Sequence, residues 1–177
     1  KELGFDSLAI TDHGVMYGAM EFYKECKKAG IKPIIGCEVY VAPNSRFDKE
    51  LTGGEDRYYH LILLAENNTG YSNLMKIVSR GFTEGFYYRP RVDMDVLREF
   101  HEGIICCSAC LQGEVQINIV KGLKDEAEKA ALKYLDCFGE GNYFLELQDH
   151  GIPEQQLVNM ELMMMSEKLG IPLVATT

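Results

Sequence analysis

LAITDHG, residues 8–14, is the stretch whose reading decides the fold. Leu8, Ala9 and Ile10 form a short apolar run, and Thr11, Asp12, His13 and Gly14 end it with polar groups and a turn residue. From Val15 to Ala29 the pattern becomes helical, with Met16, Ala19, Met20, Phe22, Tyr23 and Cys26 spaced along one face and Gly30 as the stop. The segment reads as a buried strand that presents Asp12 and His13 at its carboxyl end, then a turn, then a helix. In α/β proteins that edge of the sheet is where ligands sit. A plainer reading stands beside it: Asp12 caps the following helix and His13 is a solvated loop residue.

The rest of the chain repeats the arrangement. IKPIIGCEVYVAP (31–43) reads as a strand with Glu38 inside an apolar run, a costly place for a carboxylate unless it is paired or metal-bound. Asn44 to Arg57 is polar, with Gly53-Gly54, and reads as a loop or hairpin tip. YYHLILLA (58–65) is a strand with His60 at its start, and Thr69 to Ser79 is a helix with Thr69 as its cap. EGFYYRPRVD (84–93) reads as a loop rich in aromatics and arginine, followed by a short helix over Asp93–Phe100. GIICCSAC (103–110) is an apolar strand ending near Cys110. Helices are expected over Glu114–Lys121 and Asp125–Phe138, the second with Ala127, Ala130, Ala131, Tyr134 and Leu135 on one side. NYFLELQDHG (142–151) restates the opening theme, a strand ending in Asp149, His150 and Gly151. Pro153 to Leu169 is a helix with proline in its first turn and Gly170 as its stop, and LVATT is a last strand. Strand followed by helix, several times over, predicts an α/β fold with a parallel sheet closed or nearly closed into a barrel.

Composition narrows the class. The 177 residues are 46% apolar and 25% charged with a net charge of −9, which suits a single soluble domain and not a free duplex-binding module, because such modules are basic. An acidic chain also suits a site that gathers divalent cations. The six cysteines, at 26, 37, 106, 107, 110 and 137, match no zinc ribbon, CxxC pair or secreted disulfide framework, so free thiols in a reducing cytoplasm are expected. No apolar run approaches the roughly 18 residues of a membrane span.

Four side chains at or near strand ends carry metal-ligand chemistry: His13, Glu38, His60 and Cys110. Imidazole, carboxylate and thiolate together suit zinc, manganese or iron better than magnesium or calcium. Taken singly, Cys110 is equally a small buried residue and His60 a hydrogen-bonded core histidine; Glu38 is the hardest to explain that way.

ITDHG, KKAGIKPIIGCEVYVAP, YYHLILLAENNTGYSNLMKI, GFYYRPRVD, SACLQGE and YFLELQDHG, in that order, resemble the polymerase and histidinol phosphatase (PHP) domains at the front of bacterial DNA polymerase III α subunits. The resemblance covers nearly the whole chain. It implies a distorted (βα)7 barrel with two or three metals at the carboxyl ends of the strands. His13, Glu38, His60 and Cys110 would be ligands, and Asp12 a carboxylate that orients an imidazole or a water. Residues 1–177 would form a single domain lacking its first strand and the segment after its last, both of which carry further family ligands.

The function implied is that of a cytoplasmic, bacterial replicative DNA polymerase. That parent is a nucleotidyltransferase using magnesium, and the domain's own cluster of zinc, manganese or iron suits phosphodiester hydrolysis. The implied substrate is a primer 3′ end, removed in 3′–5′ proofreading. Arg89 and Arg91 could supply forked donors to a phosphate, or pair with surface carboxylates. His150 is a weaker substrate-binding candidate, and Tyr87 and Tyr88 could stack on a base or pack under their loop. No FDxET-type exonuclease insert lies between Glu38 and His150. Two other roles stay open: a non-catalytic scaffold within the polymerase α subunit that docks a separate proofreading exonuclease, and a small-molecule phosphatase of the histidinol-phosphate kind.

Overall fold

The longest strand is the axis of the sheet. Lys32–Val41 (β2) is bordered on one edge by Ser7–His13 (β1) and, at its far end, by Arg89–Val92 (β5); Tyr59–Ala65 (β3) lies on the other edge. From β3 the sheet continues through Ile104–Cys107 (β6) and Tyr143–Gln148 (β7) to Leu173–Thr176 (β8). Phe86–Tyr87 (β4) pairs with β5. Six helices join them: α1 (Ala19–Ala29), α2 (Asn68–Thr83), α3 (Met94–Glu99), α4 (Glu114–Val120), α5 (Lys124–Phe138) and α6 (Pro153–Leu169). This computed structural model describes residues 1–49 and 58–176, and the element count refers to those. Residues 50–57 of the expected polar loop lie outside the described residues.

The sheet is mixed, which corrects the expectation of a parallel one. β1–β2, β2–β5, β6–β7 and β7–β8 are parallel, whereas β3 runs antiparallel to both β2 and β6. Strand patterning reports burial and not direction; the signal for β3's reversal was the reading of 44–57 as a hairpin tip, with no helix expected between β2 and β3. Curled, with helices on its outer face, the sheet forms a half-barrel, and β1 and β8 are not paired to each other among the described residues.

Period-two alternation divides each strand between two environments. Cys37, Val39 and Val41 of β2, Leu61 and Leu63 of β3, Ile104 and Cys106 of β6, and Tyr143 and Leu145 of β7 share one core. Against them pack Leu74 and Ile77 of α2, the alanines and Tyr134 of α5, and Val158, Leu162 and Met165 of α6. The opposite, inner face receives the residues in between, including Glu38, Tyr40, His60 and Glu146.

Several boundaries moved for identifiable reasons. Helix α1 begins at Ala19 rather than Val15, because Gly14 turns the chain at φ 71° and the Asp12 carboxylate accepts from the Gly18 N–H at 2.9 Å. A side chain at Gly14 would place its Cβ 2.7 Å from the Tyr40 ring, so the turn needs glycine on both counts. The cap of α2 is Asn67, not Thr69: its backbone is extended and its side chain accepts from Gly70 N–H. The expected loop at 84–93 contains the β4–β5 hairpin, with Tyr88 at its turn at φ 60°. Helix α6 has the bounds its sequence announced.

Candidate metal centre

Strand register assembles the site. In the parallel β1–β2 pair His13 stands beside Glu38, and in the antiparallel β2–β3 pair His60 stands opposite Tyr40, one step along the same face from Glu38. His13 Nδ1 lies 2.6 Å from Glu38 Oε1, and His60 Nδ1 lies 3.2 Å from that same oxygen. Cys110 Sγ approaches His60 Nδ1 at 3.5 Å. The donor atoms of Glu38, His60 and Cys110 all fall within 4.8 Å of one another. His13 is 75% exposed on its side chain and reaches Glu38 from the rim.

Glu38 is 7% exposed. Burial alone would raise its pKa, but His60 and then His13 more than offset it and hold the carboxyl below its usual range. Burial likewise opposes a charge on His60; the contacts with Cys110 and Glu38 win and push its pKa up to about 9. The protein thus contains a carboxylate shared by two imidazoles, with a sulfur on the third side. Imidazole, carboxylate and thiol at these spacings fit a zinc-, manganese- or iron-class ion, whose bonds of about 2.0–2.3 Å put neighbouring ligand atoms at similar separations.

Two aromatic rings orient His60. Tyr58 stacks on it with centroids 6.0 Å apart and planes 2° from parallel, and Tyr40 meets it edge-on at 5.4 Å. Neither was singled out by sequence reasoning, although each lies two positions from a candidate ligand, Tyr40 within β2 and Tyr58 just before β3, where the period of two puts neighbours on one face. The loop after β6 holds both His60 and Cys110: Gln112 accepts from the His60 N–H at 2.9 Å, and its own N–H donates to Cys110 Sγ at 3.4 Å. Cys110 is the one cysteine of the six that is not buried. Burial pushes Cys37 and Cys107 up to about 12, leaving them neutral thiols beside the site.

The other candidates go elsewhere. The Asp12 carboxylate accepts from the Gly18 N–H in the turn ahead of α1 and contacts no imidazole among the described residues; it is not the cap of α1, whose N-cap, Gly18, has no side-chain cap bond. Arg91 is 1% exposed, and its guanidinium donates to the backbone carbonyls of Gly85, Arg46 and Asp48. The sequence reading missed this because a carbonyl cage leaves no side-chain signature. Arg89 is exposed and its guanidinium lies 5.6 Å from the centre of the Tyr40 ring. The Nδ1 of the His150 ring is 3.0 Å from Gln155 Nε2, and the His150 backbone N–H donates to Gln155 Oε1 at 2.8 Å. It does not join the cluster.

The profile of the PHP domain family matches residues 1–150. The chain belongs to the PHP domain family. It is 54% identical over 177 residues to the DNA polymerase III subunit alpha of Treponema pallidum, covering 99% of this chain and 15% of that protein. It is 47% identical to those of Borreliella burgdorferi and Thermus aquaticus, with 99% and 96% of this chain covered and 15% and 14% of theirs. This PHP domain therefore spans about a seventh of the curated relatives it matches. A structure from Bifidobacterium adolescentis, described as a candidate metal-dependent phosphoesterase, superposes with a TM-score of 0.52 over 98% of this chain and 77% of its own, at 11% identity. At that identity the likeness establishes the fold alone. No described helix of the PHP domain is long and apolar enough to cross a membrane.

Proposed function

We propose that this PHP domain is part of a bacterial DNA polymerase III α subunit and carries a metal-dependent phosphodiester-hydrolysing site acting on a primer 3′ end. Support for the parent comes from identities of 47–54% to three such subunits. The observation that carries the site is the convergence of Glu38, His60 and Cys110, with His13 on the shared Glu38 oxygen.

Glu38, His60 and Cys110 would hold one ion, and Glu38 with His13 would begin a second position. Bound metals supply an activated water at neutral pH and stabilise the leaving oxygen of an in-line displacement. The protein's own residues do the rest. Tyr58 and Tyr40 fix the plane of His60, so that its Nδ1 faces Glu38 and Cys110. Glu38, held ionised, keeps a negative charge where cations gather. Arg89, exposed beside Tyr40 and Tyr58, offers a guanidinium fork to a phosphate of the substrate strand. In the magnesium-dependent parent the polymerising centre lies outside this domain.

A scaffold role has an observation of its own. Leu157, Met160, Met163 and Met164 on α6 are all exposed, an apolar face suited to packing against other parts of the parent polypeptide or a proofreading exonuclease subunit.

The test is metal content and 3′-end degradation by the full-length parent, with Glu38→Gln and His60→Ala beside it. Bound zinc, manganese or iron, and cleavage lost in both variants while polymerisation persists, would support the hydrolytic reading. A metal-free, well-folded parent without cleavage would leave the scaffold.

A further inference from the structure

Ala109, the residue before Cys110, is one of two non-glycine residues with positive φ among those described, at 66°. L-residues rarely adopt that conformation, and alanine has no side-chain polar group to favour it. Its two backbone polar groups are both gripped by buried side chains from other elements. The Ala109 N–H donates to Glu146 Oε2 at 3.2 Å, from β7, and its carbonyl accepts from Gln116 Nε2 at 3.1 Å, from α4. Glu146 is 5% exposed and Gln116 1%. Ser108 links the two, its Oγ accepting from the Glu146 N–H at 2.8 Å and from Gln116 Nε2 at 2.7 Å.

Glu146 is otherwise surrounded by neutral donors. Its Oε1 accepts from Gln148 Nε2 at 2.9 Å and from the Thr176 hydroxyl, and it forms no ion pair with lysine or arginine among the described residues. A carboxylate buried without a cation is an expensive way to fill a strand position flanked by Leu145 and Leu147. Its distinctive contact is the N–H of a strained residue, one position before a candidate ligand.

We infer that Glu146 and Gln116 are positioning residues that hold Ala109 in its left-handed conformation and so direct the Cys110 sulfur at His60. The metal reading above defines what is delivered; the clamp itself stands on hydrogen bonds within the chain. Gly113 completes the loop: a Cβ there would lie 2.1 Å from the Ser108 carbonyl, so the segment closes only around glycine.

The test uses the full-length parent, with cobalt(II) as the probe metal and the Cys110→Ser variant defining the thiolate-to-cobalt absorption that belongs to Cys110. Glu146→Leu and Gln116→Leu should each lose that absorption and weaken cobalt binding about tenfold or more. Glu146→Gln, which keeps an acceptor for the Ala109 N–H, should retain it. Adding Ala109→Gly to Glu146→Leu should restore it, because glycine adopts the conformation unaided. A parallel measurement needs no metal: alkylation of Cys110, followed by peptide mass spectrometry, should quicken about tenfold in the two leucine variants. Buried Cys106 and Cys107 should stay protected, which reports that the fold is intact. Unchanged absorption and unchanged alkylation in both leucine variants would overturn the clamp, as would failure of Ala109→Gly to rescue. A wild-type protein with no Cys110-dependent absorption, but with clamp-dependent alkylation, would refute the metal reading and leave the clamp standing.

Discussion

The chain contains the tripeptide Asp-His-Gly twice at the end of a strand, at 12–14 and at 149–151, and the two copies have different fates. Locally they are alike. Each aspartate accepts from a backbone N–H downstream, Asp12 from Gly18 and Asp149 from Gly151, and each glycine turns the chain left-handed, at φ 71° and 73°. They part at the histidine. β1 extends through His13, and its parallel partner places Glu38 at the same level. β7 ends at Gln148, two residues short of His150, and the partner strand beside it supplies Thr176. His13 therefore finds a carboxylate, and His150 turns to Gln155 on the following helix. A histidine at a strand end becomes a candidate ligand through what the neighbouring strand brings to its level.

The comparison breaks most visibly at the shared carboxylate. Glu38→Gln should reduce zinc or manganese affinity of the full-length parent by two orders of magnitude or more, since it would remove the carboxylate that both proposed ion positions share; less than about tenfold, by competitive chelator titration, would separate Glu38 from the metal. The two histidines come next. His13→Ala should cost about 10–100-fold in the weaker metal-binding step, read as lost stoichiometry in elemental analysis, whereas His150→Ala should change neither affinity nor stoichiometry more than about twofold. Equal effects would mean that the two turns are equivalent after all.

A third effect is smaller and depends on pH. His60 has its pKa raised from 6.5 to about 9 in the folded protein, so its stabilisation is complete below about 6.5 and is lost as pH rises through 9. Glu38 has its pKa lowered from 4.5, so its share is present above 4.5 and is lost as pH falls through the lower folded value. The metal-free protein should therefore lose a few degrees of Tm between pH 6.5 and 9, and His60→Gln should lose that slope. With metal the sign reverses, because the ion competes with the proton on His60, and affinity should climb over the same interval. A Tm profile in chelator that is identical for wild type and His60→Gln would contradict the pairing. The least effect belongs to the turns themselves: Asp12→Ala should lower stability by about 1 kcal/mol through the freed Gly18 N–H, measured by urea unfolding, and leave metal affinity within about threefold.

How much could be read in advance varied with the range of the interaction. The Pro153 start and Gly170 stop of α6 are local, and its bounds were legible to the residue. Glu38 stood out because a carboxylate between Cys37 and Val39 contradicts its own strand. Glu146 makes the same contradiction in YFLEL, a signal that was present and passed over. Arg91 gave none, since three backbone carbonyls take up its guanidinium. The α2 cap moved from Thr69 to Asn67 because both side chains suit the role and backbone geometry chose between them.

The sequence by itself determined the elements other than the β4–β5 hairpin, the family and the four residues with ligand chemistry, because periodicity, caps and side-chain type are written along the chain. Tertiary structure alone decided the sharing of one Glu38 oxygen by two imidazoles, the contact of Asp12 with the Gly18 N–H, the carbonyls around Arg91, and the grip on Ala109. Most of these depend on register between strands or on contacts between residues tens of positions apart. Such relations arise only when the chain closes on itself.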